Sequence, residues 1–444
     1  MTFFNSVYLD KDKCKGCINC IKRCPTQAIR VRSGKAKIIK EFCIDCGECI
    51  RICPHHAKLA SYDPISVMND YEYTVALPAP SLYAQFNNLD DVNIVLRALK
   101  HMGFDNVYEV AAAAETVSEA SRKYIREHMD QRPFISSACP SVVRLISVRF
   151  PNLIEHILPI AAPIDAAAEK AAELAMKETG LPREKIGIIF ISPCPAKMTA
   201  TKSPLGFEES QVDAVIAIKE VYPILLSHMK EVADKEEELA LSGKIGISWG
   251  RSGGEAGGLL TDSYLAADGI ENVIKVLEDL EDQKFADLDF IELNACSGGC
   301  VGGTLTVENP YVAKAKLDRL RKYMPVARTH LLGDDADKLL FEKEIEYQPV
   351  FKIGSSIKES IAAMAKIEQL CEKFPGLDCG SCGAPTCHAL AEDIVSGRAH
   401  ERDCVHLLRG YIHQLSEQFS MIDGFGEEQP TFCDIPPKTE DNDV

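Results

Sequence analysis

No stretch of this chain approaches the ~20 consecutive apolar residues needed to span a bilayer. Its start, MTFFNSVYLDKDK, places no basic region ahead of an apolar run, so no signal peptide is expected. Lys and Arg number 49 against 66 Asp and Glu, and the formal charge of −17 argues against nucleic acid as a general partner. No internal repeat is visible beyond one short cysteine motif written twice. What remains is a 444-residue globular chain, 46% hydrophobic, of a length that suits two to four domains. Its charge is uneven. Residues 1–60 hold twelve Lys/Arg against five Asp/Glu, a formal +7, whereas the last twenty-four residues are acidic, polar and proline-containing and read as a disordered tail.

Cysteine is what the chain has in excess. There are eighteen, and sixteen fall into four sets of four. Cys14, Cys17, Cys20 and Cys24 precede Pro25, and Cys43, Cys46, Cys49 and Cys53 precede Pro54, so C-x2-C-x2-C-x3-C-P is written twice. Three thiolates on a tight loop cap three irons of a cube, and the residue before the proline supplies a fourth from a distance. This is the bacterial two-cluster ferredoxin run, in which the fourth cysteine serves the other cluster. Cys14, Cys17, Cys20 and Cys53 are therefore expected on one 4Fe-4S cluster, and Cys43, Cys46, Cys49 and Cys24 on a second. Zinc knuckles and structural disulfides are the alternatives, and the doubled spacing disfavours both. Metal-type spacings without a secretion signal point to a reducing, cytoplasmic compartment.

After a connector, ASYDPISVMNDYE, strand-length apolar runs alternate with helical patterns. Strands are expected at YTVALPAP, Asn106–Val110, Pro133–Ser137, Lys185–Ser192, Ala214–Ile218, Lys244–Trp249 and Phe290–Leu293. Helices are expected at Asp91–Met102, Thr116–His128, Ile164–Glu178 and Glu220–Val232. The alternation implies α/β architecture with parallel sheet, whose ligands sit past the carboxyl ends of the strands. A helical linker near 355–370 leads to a last cysteine-rich module.

Four more cysteines lie in three loops of the central region: Cys139 in FISSACPS, Cys194 in IFISPCPAK, and Cys296 with Cys300 in IELNACSGGCVGG. A lone cysteine is usually a buried small hydrophobe. These follow strands, and the last pair lies among glycines that let backbone approach a bulky ligand. The loops resemble the three signatures of the FeFe hydrogenases, T-S-C-C-P, M-P-C-x-x-K and E-x-M-A-C-x-x-G-C-x-x-G-G. GFDNVYEV and SWGRSGG extend the similarity over roughly residues 1–325. The resemblance implies that Cys139, Cys194, Cys296 and Cys300 hold the 4Fe-4S half of an H-cluster. Cys300 would bridge to a two-iron unit bearing carbon monoxide, cyanide and an amine dithiolate, and Lys197 would hydrogen-bond a cyanide. The implied fold is an H-cluster domain of parallel sheets flanked by helices, with an N-terminal ferredoxin-like module and a small helical C-terminal 4Fe-4S module. The corresponding boundaries are 1–60, 71–350, 351–420 and a tail at 421–444.

The chain departs from that family along the proton route. Its relay cysteine is Ala138 here, its relay serine aligns with Leu158, one carboxylate survives as Glu119, and the next aligns near Arg122. Two methionines become Ser192 and Asn294, and a phenylalanine becomes Trp249. Glu255 and Glu292 are the acids placed to substitute, each with an alternative reading as a structural carboxylate. At the C-terminus, Cys379, Cys382, Cys387 and Cys404 form C-x2-C-x4-C-x16-C, similar to the small cluster domain of corrinoid iron–sulfur proteins, and imply a third accessory 4Fe-4S cluster. Zinc is the alternative there. Cys371 is a neighbouring alternative ligand and Cys433 an incidental thiol. This module and the altered route resemble the sensory hydrogenases of group D, without a PAS domain. The implied function is slow chemistry on dihydrogen and protons, with electrons passed to an electron-transfer or signalling protein. An ordinary ferredoxin-linked hydrogenase and an iron–sulfur assembly scaffold are the rivals.

Overall fold

The computed structural model describes residues 4–285, 287–331, 335–349 and 356–423, with side chains to residue 419. Contacts divide the chain into two units, Met1–Lys352 and Ile353–Val444. Cys433 and most of the expected tail lie outside the described residues. The helix Val405–Asp423 runs three residues past the expected tail boundary.

The first unit opens with two antiparallel strand pairs. Strand β1 (Val7–Leu9) pairs with β4 (Lys58–Ala60), and β2 (Ile29–Arg32) with β3 (Lys35–Ile38). Two short helices, Asn19–Lys22 and Glu48–Arg51, pack between them, one for each cysteine run.

Two parallel sheets follow. The larger has β5 (Tyr73–Pro78), β6 (Asn106–Val107), β8 (Ile186–Ser192) and β9 (Ala214–Ala217) in the order β6-β5-β8-β9. The smaller orders β10 (Tyr264–Asp268), β11 (Phe290–Asn294) and β7 (Phe134–Ile135) as β10-β11-β7. Strand β8 is buried along its length, as a central parallel strand must be. Its side chains alternate: Ile186, Ile188 and Phe190 join one core, and Ile189 and Ile191 another. The first core also takes Phe134 and Phe290 from the smaller sheet, so it binds the two sheets together. Alanines of the helix Pro163–Thr179, among them Ala167, Ala168, Ala171 and Ala172, fill the same core. The expected α/β class, with parallel sheets and flanking helices, is borne out. Among the described residues no helix is long and apolar enough to cross a membrane.

One expected strand is a helix. Lys244–Trp249 reads as an apolar β run, yet Lys244–Ser248 is helical. Its start is held by a carboxylate from elsewhere: Glu115 Oε1 accepts from Gly243 N at 2.7 Å and Gly246 N at 3.3 Å. Gly246 packs so closely on the helix Val110–Glu127 that a Cβ there would meet Ala111 O at 2.0 Å. That helix itself begins six residues before the expected Thr116, because Val110–Glu115 is alanine-rich and favours helix. The edge strand β10 was not expected at all. Its half-exposed YLAAD sequence has a short, alanine-rich apolar stretch without β-branched residues, which favours helix as much as strand.

Glu115 is 1% exposed, and its Oε2 also accepts from Arg328 N and Thr329 N, so four backbone donors depend on it. Glu115→Ala is expected to cost roughly 3 kcal/mol or more, by stranding buried N–H groups. The apparent unfolding temperature should fall by about 5 °C, read by circular dichroism. Melting within a degree of wild type would show that the carboxylate is dispensable to the fold.

Candidate metal centre

Near the N-terminus the structure gathers cysteines across the two runs. Burial pushes the Cys20 thiol up to about 11; Lys58 pulls it down, and Cys17, Cys14 and Cys53 push it further up. Burial also raises Cys49, to about 12, with Cys24 the next cause. Cys24 likewise bears on Cys43 and Cys46. The fourth cysteine of each run therefore lies with the first three of the other. Backbone N–H groups aim at the sulfurs, Ala28 N at Cys24 Sγ (3.2 Å), Ala57 N at Cys53 Sγ (3.3 Å) and Ala36 N at Cys14 Sγ (3.4 Å), the donors that tune cluster potentials.

This module sits directly on the central loops. Burial, Cys24, Cys49 and Cys296 all raise Cys46, so the second run abuts the central quartet. Gly47, at φ +75°, makes that approach possible, since a Cβ would lie 2.7 Å from Thr304 Oγ1. Arg51 Nη2 donates to Gly302 O at 3.1 Å. Asp45, 1% exposed, accepts from Val7 N and from Thr199 Oγ1 at 2.8 Å, tying the module to the helix Pro195–Lys202.

The central cysteines all follow strand ends. Cys139 comes after β7 and Cys194 after β8, each as the N-cap of a helix that starts on proline. Proline suits that first position, and the helix start favours a thiolate. Cys296 and Cys300 come after β11, where Gly299 (φ +89°) passes so near Ser252 N that a Cβ would lie at 2.4 Å. Burial raises Cys194, Cys296 and Cys300, the last to about 12, and these thiols and Cys139 act on one another. Beside them lies a small cavity of about 50 Å³, lined by Pro80, Ala138, Lys197, Trp249, Glu255 and Cys300, among others. Lys197 Nζ donates to Ala138 O at 3.3 Å. Burial works against its charge, but Cys300, Cys194, Cys139 and Asp165 more than offset this and raise its pKa.

The candidate acids differ in how they are held. Glu292 accepts from Gly253 N, Ala256 N and Asn294 Nδ2 at 2.8–2.9 Å, which makes it the anchor of the helix Gly254–Gly258. Glu255 accepts the Ser136 hydroxyl, at 2.6 Å. Burial and then the Glu292 charge push its carboxyl well above the usual carboxylate range. Both line the cavity, as does Asn294. Ser192 does not: its hydroxyl is closed into a turn with Cys194. Glu119 is also elsewhere, held by His330 (2.8 Å), Leu331 N (2.7 Å) and Arg122 (3.7 Å). Leu158 is 1% exposed in the apolar core. Sequence reasoning missed Asp165, whose carboxyl burial raises to about 6, next to Lys197 in a narrow cleft that also reaches Ser137. An acid in the alanine-rich PIDAAAEK was the available signal, but it reads equally as a helix first-turn carboxylate.

In the second unit Cys382, Cys387 and Cys404 pack with Cys371 around Leu390 and Phe374. Cys387 opens the helix Cys387–Val395, its N–H donating to Asp378 Oδ1 at 2.6 Å. Cys379 Sγ lies 3.8 Å from His406 Nε2. Cys371 is raised by burial and then by Cys387, so it sits within reach of the set.

The donors fit iron–sulfur clusters. None of the seventeen described cysteines is in a disulfide. The ammonium of Lys58 is 2% exposed and its Nζ has no hydrogen-bond partner, although its charge acts on Cys20, Cys14 and Cys49. A cation buried without an acceptor is costly, and a thiolate-ligated cluster supplies the missing negative charge. Lys58→Met is therefore expected to lower the reduction potential of an N-terminal cluster by tens of millivolts, read by EPR-monitored titration. An unchanged potential would show that the ammonium does not act on the clusters.

A family model described as iron only hydrogenase large subunit, C-terminal domain, matches residues 72–263 and 255–304. A 4Fe-4S dicluster domain matches residues 6–54, and an Fe-S cluster model matches 374–406, which includes Cys379 to Cys404 but not Cys371. The NADP-reducing hydrogenase subunit HndD of Solidesulfovibrio fructosivorans is 24% identical, over 46% of this chain and 44% of its own. Iron hydrogenase 1 of Clostridium pasteurianum is 24% identical, over 67% and 64%. The chain thus spans less than two thirds of either relative. A solved structure of FeFe-hydrogenase HydA1 from Chlamydomonas reinhardtii aligns with TM-score 0.48 and 16% identity, over 63% of this chain and 95% of that one. Because the first of these models runs from residue 72 to 304, more than half of the 444 residues and all four central cysteines, the chain belongs to the iron-only hydrogenase large-subunit family.

Proposed function

We propose that this protein is a slow hydrogenase that reads dihydrogen and passes its electrons through 4Fe-4S clusters to a signalling partner in a reducing cytoplasm. Three modules, 1–60, 71–350 and 351–420, would divide the work. The carrying observation is the clustering of Cys139, Cys194, Cys296 and Cys300, the last of which lines a cavity together with Lys197. These four cysteines would hold an H-cluster, with Cys300 the ligand nearest the cavity. When bound, that group supplies the site at which dihydrogen separates into two protons and two electrons.

The remaining chemistry falls to the chain's own side chains. Lys197 offers an ammonium to an anionic ligand inside a poorly hydrated cavity, where such a bond is strong. Pro80, Ala138 and Trp249 keep bulk water from the cavity wall. Ala138 carries no proton, and Glu119 is tied to His330 and Arg122, which supports slow turnover. Glu255 is the acid suited to hold a proton, because its carboxyl is raised and its hydrogen bond is to the Ser136 hydroxyl. Glu292 is suited to position that loop as an acceptor. Electrons would leave by the Cys46 side, which abuts Cys296. Cys14, Cys17, Cys20, Cys53 and Cys43, Cys49, Cys24 complete the two N-terminal clusters, and Cys379, Cys382, Cys387 and Cys404 a third accessory one.

The deciding experiment is infrared spectroscopy of protein matured with the two-iron cofactor. Carbon monoxide and cyanide bands that shift under dihydrogen are expected, and should vanish in Cys300→Ala while the ferredoxin signals persist. A protein that takes up no such unit would instead be an assembly scaffold. Glu255→Gln is expected to cut hydrogen turnover by roughly tenfold or more, with the loss of the alkaline limb of its pH profile, since the wild-type carboxyl gives up its proton as pH rises through about 8. Ala138→Cys alone should not speed turnover, since Leu158 still interrupts the route. Wild-type rates in Glu255→Gln would send the protons through another path.

A further inference from the structure

Away from every cysteine, two helices that cover one face of the larger sheet meet at a cluster of nitrogen and oxygen donors. The helix Val92–Met102 and the helix Ile218–Val232 pack together over a core containing Val95, Leu99, Val221 and Leu225. At their carboxyl-terminal turns His101 Nδ1 lies 3.0 Å from His228 Nδ1. Glu231 Oε2 lies 3.3 Å from the first nitrogen and 3.7 Å from the second. The two rings cross at 74° with their centroids 5.1 Å apart, so they converge edge to face and do not stack.

From these contacts we propose that His101, His228 and Glu231 form a binding site for one divalent transition-metal ion of the zinc type, separate from the cluster ligands. The three donor atoms make a triangle with edges of 3.0, 3.3 and 3.7 Å. A tetrahedral zinc ion with bonds of about 2.0–2.1 Å requires edges of about 3.3 Å between its ligand atoms. The triangle is therefore one face of such a tetrahedron, and its half-exposed position leaves the fourth corner to water.

The scaffold favours a cation there. His228 and Glu231 are three residues apart and share one helix face, so a single helix fixes two of the three ligands. Both helices end at the cluster, and the partial negative charge of two helix carboxyl ends attracts positive charge. Two imidazoles and one carboxylate select zinc, cobalt or nickel over magnesium and calcium, which prefer all-oxygen shells. Without the ion, a proton shared between the two nitrogens leaves the acceptor nitrogen facing a carboxylate. The cation satisfies all three donors at once. Its effect would be to clamp the helix after β9 to the helix that precedes β6, behind the sheet whose strand ends carry Pro80 and Cys194.

The test uses full-length, cluster-loaded protein dialysed against zinc chloride, with zinc and iron counted by mass spectrometry and the bound zinc examined by X-ray absorption. About one zinc per chain is expected, in a shell of nitrogen and oxygen, with the iron count unchanged. His101→Ala and His228→Ala should each weaken binding by about a hundredfold, and Glu231→Gln by about tenfold, without loss of iron. Zinc should raise the melting temperature of wild type and leave that of the histidine variants unmoved. Sulfur in the zinc shell, equal zinc in His101→Ala and wild type, or no zinc bound at ~100 times the protein concentration would each overturn the site.

Discussion

Seven cysteines of the first unit, Cys20, Cys43, Cys46, Cys49, Cys194, Cys296 and Cys300, are raised by burial among other thiols. A thiol in that condition stays protonated, and only a metal that takes the place of the proton makes so dense a packing of sulfur favourable. Much of the surrounding architecture serves this one constraint. Helix starts and backbone N–H groups face the sulfurs, glycines let loops pass within a Cβ of one another, and two buried ammonium groups, Lys58 and Lys197, balance the charge.

The same constraint orders the modules. The second cysteine run must touch the central quartet for electrons to move between them, and Gly47, Arg51 and Asp45 hold it there through contacts with Thr304, Gly302 and Thr199. The proposed handling of protons is different. The positions that carry them in the family are Ala138, a cavity-wall methyl, and Leu158, a core residue. The acids at the cavity are Glu255 and Glu292, and their different partners divide them into a group able to exchange a proton and one committed to backbone donors.

The sequence alone determined the metal chemistry. Cysteine spacing is set by covalent geometry over a few residues, so the crossed grouping of Cys24 and Cys53, the family loops and the parallel-sheet class could be read before any fold was known. Only the tertiary structure decided what depends on distant partners. Lys244–Ser248 is helical because Glu115 and Ala111, more than a hundred residues away, cap and crowd it. Glu119 leaves the cavity because His330 holds it, and Asp165 enters the neighbourhood of Lys197 because its helix, Pro163–Thr179, packs against β8, which leads into the helix of Lys197. The meeting of His101 with His228 has the same origin. Local pattern fixes which atoms are available as ligands, whereas the burial that raises a carboxyl or orients an imidazole is a property of packing between segments remote in the chain.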